Sequence, residues 1–246
     1  MKYRRFLKIT SIALAAILFI LVGAVIFYAA DYYRAGDAAK TLASDPAQVT
    51  VLRNGYALGN PEAEVGLIFY PGGKVEHTAY LPLLQMISEQ GIFCYVVRMP
   101  LNLAVFKVNA ADAIIKRYPN VSSWMIGGHS LGGAMAASYA EKHQDTIDGL
   151  ILLAAYTTAD LSESPFGVLS VYGSQDKVLN QDNLVAGRDL VPDDYQEIVI
   201  EGGNHAQFGD YGPQAGDGQA LISATAQWEQ TAAVILKFMN ARNSAP

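Results

Sequence analysis

From Val49 to about Asn240 the chain alternates short apolar runs with segments whose apolar residues recur at helical spacing. The runs are bounded by Gly, Pro or Asn, which predicts buried strands at Val65–Tyr70, Ile92–Val97, Trp124–Gly127, Gly149–Ala154, Val168–Tyr172 and Tyr195–Ile200. Val49–Leu52 and Gly55–Leu58 predict a hairpin turning at Arg53-Asn54-Gly55. Helical spacing predicts helices over His77–Glu89, Asn109–Tyr118, Leu131–Lys142 and Ala220–Asn240. The last of these repeats Leu221, Ala224, Trp228, Ala232, Ile235 and Phe238. Strands alternating with helices predict an α/β domain, a mostly parallel sheet covered by helices on both faces.

The N-terminal pattern differs. Lys2, Arg4, Arg5 and Lys8 precede an apolar run from Ile9 to Ala30. About 20 apolar residues suffice for a bilayer-spanning helix. A cleavable signal peptide has a shorter apolar core and a small-x-small site, whereas this run ends in Phe27-Tyr28-Ala29-Ala30. The expected organisation is a basic cytoplasmic segment at 1–8, a transmembrane signal anchor at 9–30, a stalk or linker at 31–48 and a catalytic domain at 49–246 outside the cytoplasm. Secretion after signal cleavage is the alternative.

Composition narrows the classes. The 246 residues carry a net charge of −6, and no basic stripe follows the N-terminus, so no nucleic-acid partner is expected. The single Cys94 excludes an internal disulfide framework and a cysteine-rich metal site. It lies in the apolar run Ile92–Val97, where a buried small hydrophobe is expected. No metal and no cofactor are expected.

The candidate chemistry centres on Gly128-His129-Ser130-Leu131-Gly132, between an apolar strand and a helix opening on Gly133 and Ala134. This is the strand–turn–helix setting of a G-x-S-x-G nucleophile elbow. A serine hydroxyl needs an adjacent base, and the base needs an acid to orient it. Of the two histidines after Ser130, His143 reads as a solvated helix end. His205 directly follows the last strand, where a base can reach back over the sheet. Asp176 follows the Val168–Tyr172 strand in the turn Gly173–Lys177, on the same sheet edge, whereas Asp160 reads as a cap or solvated acid. The oxyanion hole calls for the Leu131 amide and a second from Tyr70-Pro71-Gly72-Gly73-Lys74, donated by Gly73 or by Lys74. Gly72, Lys74 and His129 are candidate substrate contacts. Arg98–Leu103 either lines the site or clamps the sheet edge, and Asn204–Asp217 reads as a loop ordering His205, its carboxylate spacing being poor for calcium.

Five stretches in order resemble the α/β-hydrolase superfamily, in particular its bacterial fold-5 subgroup: Tyr70–Val75, Arg98–Leu103, Ile126–Met135, Tyr172–Asp176 and Gly202–Gly212. The likeness covers roughly 49–240 and implies Ser130, Asp176 and His205 as a triad acting on acyl substrates. It leaves open ester, thioester, amide or acyl-transfer chemistry. A non-catalytic surface-binding domain is the competing class. The short stretch from Ala154 to Val168 leaves no room for a large lid domain, so an open site is expected.

Overall fold

A computed structural model describes residues 2–243. Met1 and Ser244–Pro246, the ends of the expected cytoplasmic segment and hydrolase domain, lie outside the described residues, as do the side chains of Lys2 and Arg5 in the basic segment. The chain divides into a unit ending at Tyr32 and a unit starting at Tyr33. The first is a helix, α1 (Lys2–Ala30), whose stretch Thr10–Tyr28 is long and apolar enough to span a bilayer, with a mean hydropathy of 2.7 and none of it buried.

The second unit is built on an eight-stranded sheet: β1 (Val49–Leu52), β2 (Gly55–Leu58), β3 (Val65–Tyr70), β4 (Phe93–Val97), β5 (Ser123–His129), β6 (Gly149–Leu153), β7 (Gly167–Gly173) and β8 (Tyr195–Ile200). The order is β1-β2-β4-β3-β5-β6-β7-β8, with the β1–β2 and β2–β4 pairs antiparallel and the rest parallel. The helices are α2 (Asp37–Ala43), α3 (Leu81–Ser88), α4 (Ala110–Arg117), α5 (Leu131–Lys142), α6 (Gln181–Gly187) and α7 (Ala224–Asn243).

The two-residue period of the strands divides the core. Leu67 and Phe69 of β3 pack in one cluster with residues of α2, α3 and α7. Ile68 and Tyr70 pack in the other with residues of α4 and α5. Both faces are thus buried, which is why these strands read as unbroken apolar runs. Cys94 is wholly buried, and burial pushes its thiol pKa up.

Three expectations change. Residues 33–48 are not a stalk: Tyr33 bridges Val75, Ala39 is fully buried, and its amide donates to Asp210 Oδ2 at 2.8 Å. Alanines at helical spacing gave this segment too weak an apolar stripe to read as core. The closing helix starts at Ala224, which leaves Leu221 73% exposed. The segment from His77 is a 3₁₀ turn to Tyr80 that hands over to α3. Between β6 and β7, residues 154–166 form no helix or strand and pack Ala155, Ala159, Leu161 and Phe166 into the core cluster that holds α4 and α5.

Candidate active site

Ser130 sits where β5 turns into α5, at φ 53° and ψ −123°. This left-handed position costs a non-glycine residue of order 1–3 kcal/mol and must be held from outside. Its amide donates to the Leu153 carbonyl at 2.9 Å, and its carbonyl accepts the Ala134 amide at 3.1 Å. The following turn packs against the β3 loop so closely that a Cβ on Gly132 would strike the carbonyls of Tyr70 and Pro71.

Asp176 and His205 stand at the ends of neighbouring strands, β7 and β8, and meet across that edge. Asp176 Oδ2 lies 2.8 Å from His205 Nδ1, and both side chains are buried. The other carboxylate oxygen, Oδ1, accepts the amides of Val178 and Leu179 at 2.8 Å each. The carboxylate accepts at Nδ1–H, which puts the lone pair of the neutral ring on Nε2. Nε2 is buried without a hydrogen-bond partner, and no hydrogen bond joins it to Ser130 Oγ. Both residues line one 240 Å³ pocket with Leu131, Ala134, Ala154, Ala155, Tyr156, Val178, Leu179 and Asn180. Catalytic hydrogen bonds often tighten only when substrate binds.

The loop after β3 discriminates among its own amides. Gly72 donates to the Tyr80 hydroxyl at 2.9 Å, and Lys74 donates to the Asn102 carbonyl at 2.8 Å. Gly73 lies between them, against Leu131, and its amide meets no acceptor among the described residues. Leu131 is the first residue of α5, so its amide has no partner within the helix. Of the two open alternatives, this favours Gly73 over Lys74.

His129 does not line the pocket as a substrate contact would. It is 1% exposed, and its Nδ1 lies 2.9 Å from the Tyr80 hydroxyl. Its ring packs 4.5 Å from that of His205. Burial, and secondly the nearby His205, hold its pKa well below the usual histidine value. Gly72 is buried with its amide engaged, and Lys74 lies outside the pocket lining. His143 stacks on Tyr139 at 3.9 Å, away from the pocket. Arg98–Leu103 braces the β3 loop through Asn102, with Leu101 and Asn102 both at positive φ.

Tyr80 and Gln227 escaped the sequence reading, whereas Asp217 ends the loop read there as ordering His205. Tyr80 ties Gly72 to His129. Asp217 accepts the amides of Ala206 at 2.9 Å and Gly218 at 2.8 Å, and those of Lys177 and His205 at 3.3 Å each. Gln227 of α7, fully buried, accepts the Asn204 amide at 3.0 Å and donates to its carbonyl at 2.8 Å. Gln227 did leave a signal, as a polar residue beside Trp228 at helical spacing with Ala224 and Thr231. Among the described residues, no three His, Cys, Asp or Glu side chains gather as a metal site.

Residues 66–229 match the model of a family described as the alpha/beta hydrolase family. No curated protein matches the chain. Several solved structures share its fold. Est1E from Butyrivibrio proteoclasticus with ferulic acid bound aligns with a TM-score of 0.58 at 15% identity, covering 76% of this chain and 95% of that one. The α/β hydrolase MGS-MChE2, from a sediment metagenome of the Mar Chica lagoon, gives 0.60 at 12% identity, covering 80% and 99%. The thioesterase domain from the curacin biosynthetic pathway gives 0.57 at 11% identity, covering 77% and 98%.

Proposed function

The chain belongs to the alpha/beta hydrolase family, and from that premise we propose that it is a serine hydrolase of carboxylic esters, anchored by α1 and working outside the cytoplasm. Ser130 Oγ attacks the acyl carbonyl while His205 Nε2 takes its proton. Asp176 holds the ring and stabilises the imidazolium, and the amides of Gly73 and Leu131 meet the tetrahedral oxyanion. The alcohol leaves with the proton from His205, and water, deprotonated by the same ring, releases the acid.

The observation that carries this reading is the 2.8 Å contact between His205 and Asp176 beside a pocket shared by His205 and Ser130. The likeness to Est1E, which binds ferulic acid, and to a thioesterase domain supports acyl chemistry, with esters the first choice and thioesters next. The basic residues in the first turns of α1, ahead of its apolar stretch, support a cytoplasmic N-terminus. In the test, Ser130→Ala abolishes both turnover of a p-nitrophenyl ester and labelling by a fluorophosphonate. Labelling that persists in this variant overturns the assignment.

A further inference from the structure

Resting on the hydrolase reading above, we propose that the substrate is an acyl ester of an amphiphile lying in the bilayer surface, and that the exposed apolar segment Leu101–Phe106 meets that surface beside the Gly72–Lys74 loop.

The first observation is where the folded unit begins. Tyr33 donates its amide to the Lys74 carbonyl at 2.7 Å, and its carbonyl accepts the Glu76 amide at 2.9 Å. The chain therefore enters the domain on the loop that carries Gly73. The sequence leaves only Asp31 and Tyr32 between α1 and this bridge. An extended chain gains at most about 3.6 Å per residue. The loop that carries Gly73 is thus tied to α1 by a link of two residues.

The second observation is what flanks the loop. The Asn102 carbonyl accepts the Lys74 amide at 2.8 Å, so the 100–106 segment is bonded to the same loop. It carries Leu101, Val105 and Phe106 at 43%, 45% and 59% exposure. Among the described residues of the folded unit, seven large hydrophobics are exposed, and three of them fall in these six positions. Scattered exposed hydrophobics are ordinary, whereas a cluster beside the loop that carries Gly73 marks a binding face. Leu101 and Asn102 adopt φ of 53° and 55°, so the turn is held in a strained form while it presents this cluster.

The third is the pocket itself. Apart from His205 it is lined by uncharged side chains, among them Ala134, Ala155, Val178 and Leu179, which suits a neutral acyl chain. The reaction is ester plus water to acid plus alcohol, with no co-reactant.

The test uses the full chain in phosphatidylcholine nanodiscs, with two substrates measured side by side: soluble p-nitrophenyl butyrate and a long-chain monoacylglycerol held in the disc. Replacing Val105 and Phe106 together by Ser is expected to lower the ratio of lipid-ester to soluble-ester turnover by about tenfold or more, since both apolar side chains lose their burial in the bilayer surface. Inserting a flexible linker of roughly 20 residues between Asp31 and Tyr32 is expected to lower the same ratio several-fold by diluting the domain away from the surface. The proposal is overturned if the lipid ester is not cleaved while the soluble ester is, or if both changes leave the ratio where it was. A Ser replacement that alters self-association while sparing the ratio makes this face a contact between copies and likewise overturns it. Loss of the hydrolase reading has a different signature, soluble-ester turnover that survives Ser130→Ala.

Discussion

The Tyr80 hydroxyl lies 2.9 Å from His129 Nδ1 and accepts the Gly72 amide at 2.9 Å. One buried phenol therefore joins the residue before Ser130 to the residue before Gly73. The phenol oxygen thus meets both the Gly72 amide and the His129 ring at hydrogen-bond distance. A second charged imidazole 4.5 Å from His205 would oppose the imidazolium of the proposed mechanism, and burial of His129 disfavours its charged form.

Removing this hydroxyl tests the arrangement. Tyr80→Phe keeps the ring packed on Phe69, 5.0 Å away, and leaves the Gly72 amide without an acceptor. The expected outcome is a kcat for p-nitrophenyl esters lowered about tenfold, less than the ~10²–10³ cost of deleting an oxyanion donor, with KM nearly unchanged. Steady-state kinetics against KM, with thermal melts to check the fold, measure it.

Asp176→Asn keeps the shape of the acid and removes its charge. Its Oδ1 partners, the Val178 and Leu179 amides, can be retained by the amide oxygen. His205 then loses the acceptor that fixes its tautomer, so kcat is expected to fall by about 10³–10⁴. An unchanged circular dichroism spectrum would assign the loss to chemistry rather than to unfolding.

Asp217→Ala removes the carboxylate that gathers four amides around His205. Leaving buried donors unsatisfied costs about 1–3 kcal/mol. Both the melting temperature and kcat should drop, and hydrogen exchange should quicken in residues 204–218.

Acid should destabilise the fold through His77 and His129. Burial, and then the Arg98 charge, lower the His77 pKa to about 4. The unfolded residue binds a proton near pH 6.5, so between pH 6.5 and 4 the unfolded state holds more protons than the folded one. Stability is therefore lost as pH falls through that window, by about 2–4 kcal/mol from His77, with no further loss from this residue below pH 4. His129 acts in the same direction. Urea unfolding at pH 7 and pH 4.5 should show the loss, and His77→Gln should reduce it.

Deleting residues 33–48 should prevent stable folding. Ala35, Ala39 and Leu42 are core residues, and the Tyr33 bridge is lost with them. A chain beginning at Asp31 should melt cooperatively, while one beginning at Val49 should not.

The order of strands and helices was legible because buried parallel strands leave uninterrupted apolar runs, and because Gly and Pro punctuate them. Ser130 was legible because a glycine-flanked serine between strand and helix is a local pattern. Asp176 and His205 could be located by their places after strands, since parallel strands deliver their C-terminal ends to one edge. α6 was missed, because its seven residues bury little beyond Leu184 and Gly187.

By itself, the sequence determined the α/β class, the elbow, the apolar helix and the residues able to serve as base and acid, all properties of neighbours along the chain. Tertiary structure alone decided which amides of the β3 loop remain open, that His129 lies behind the site rather than in it, and that residues 33–48 belong to the core. Each of these depends on which distant group occupies a donor or covers a surface: Asn102 on Lys74, Tyr80 on Gly72 and His129, Asp210 on Ala39. Such pairings join residues far apart in sequence, and periodicity carries no record of them.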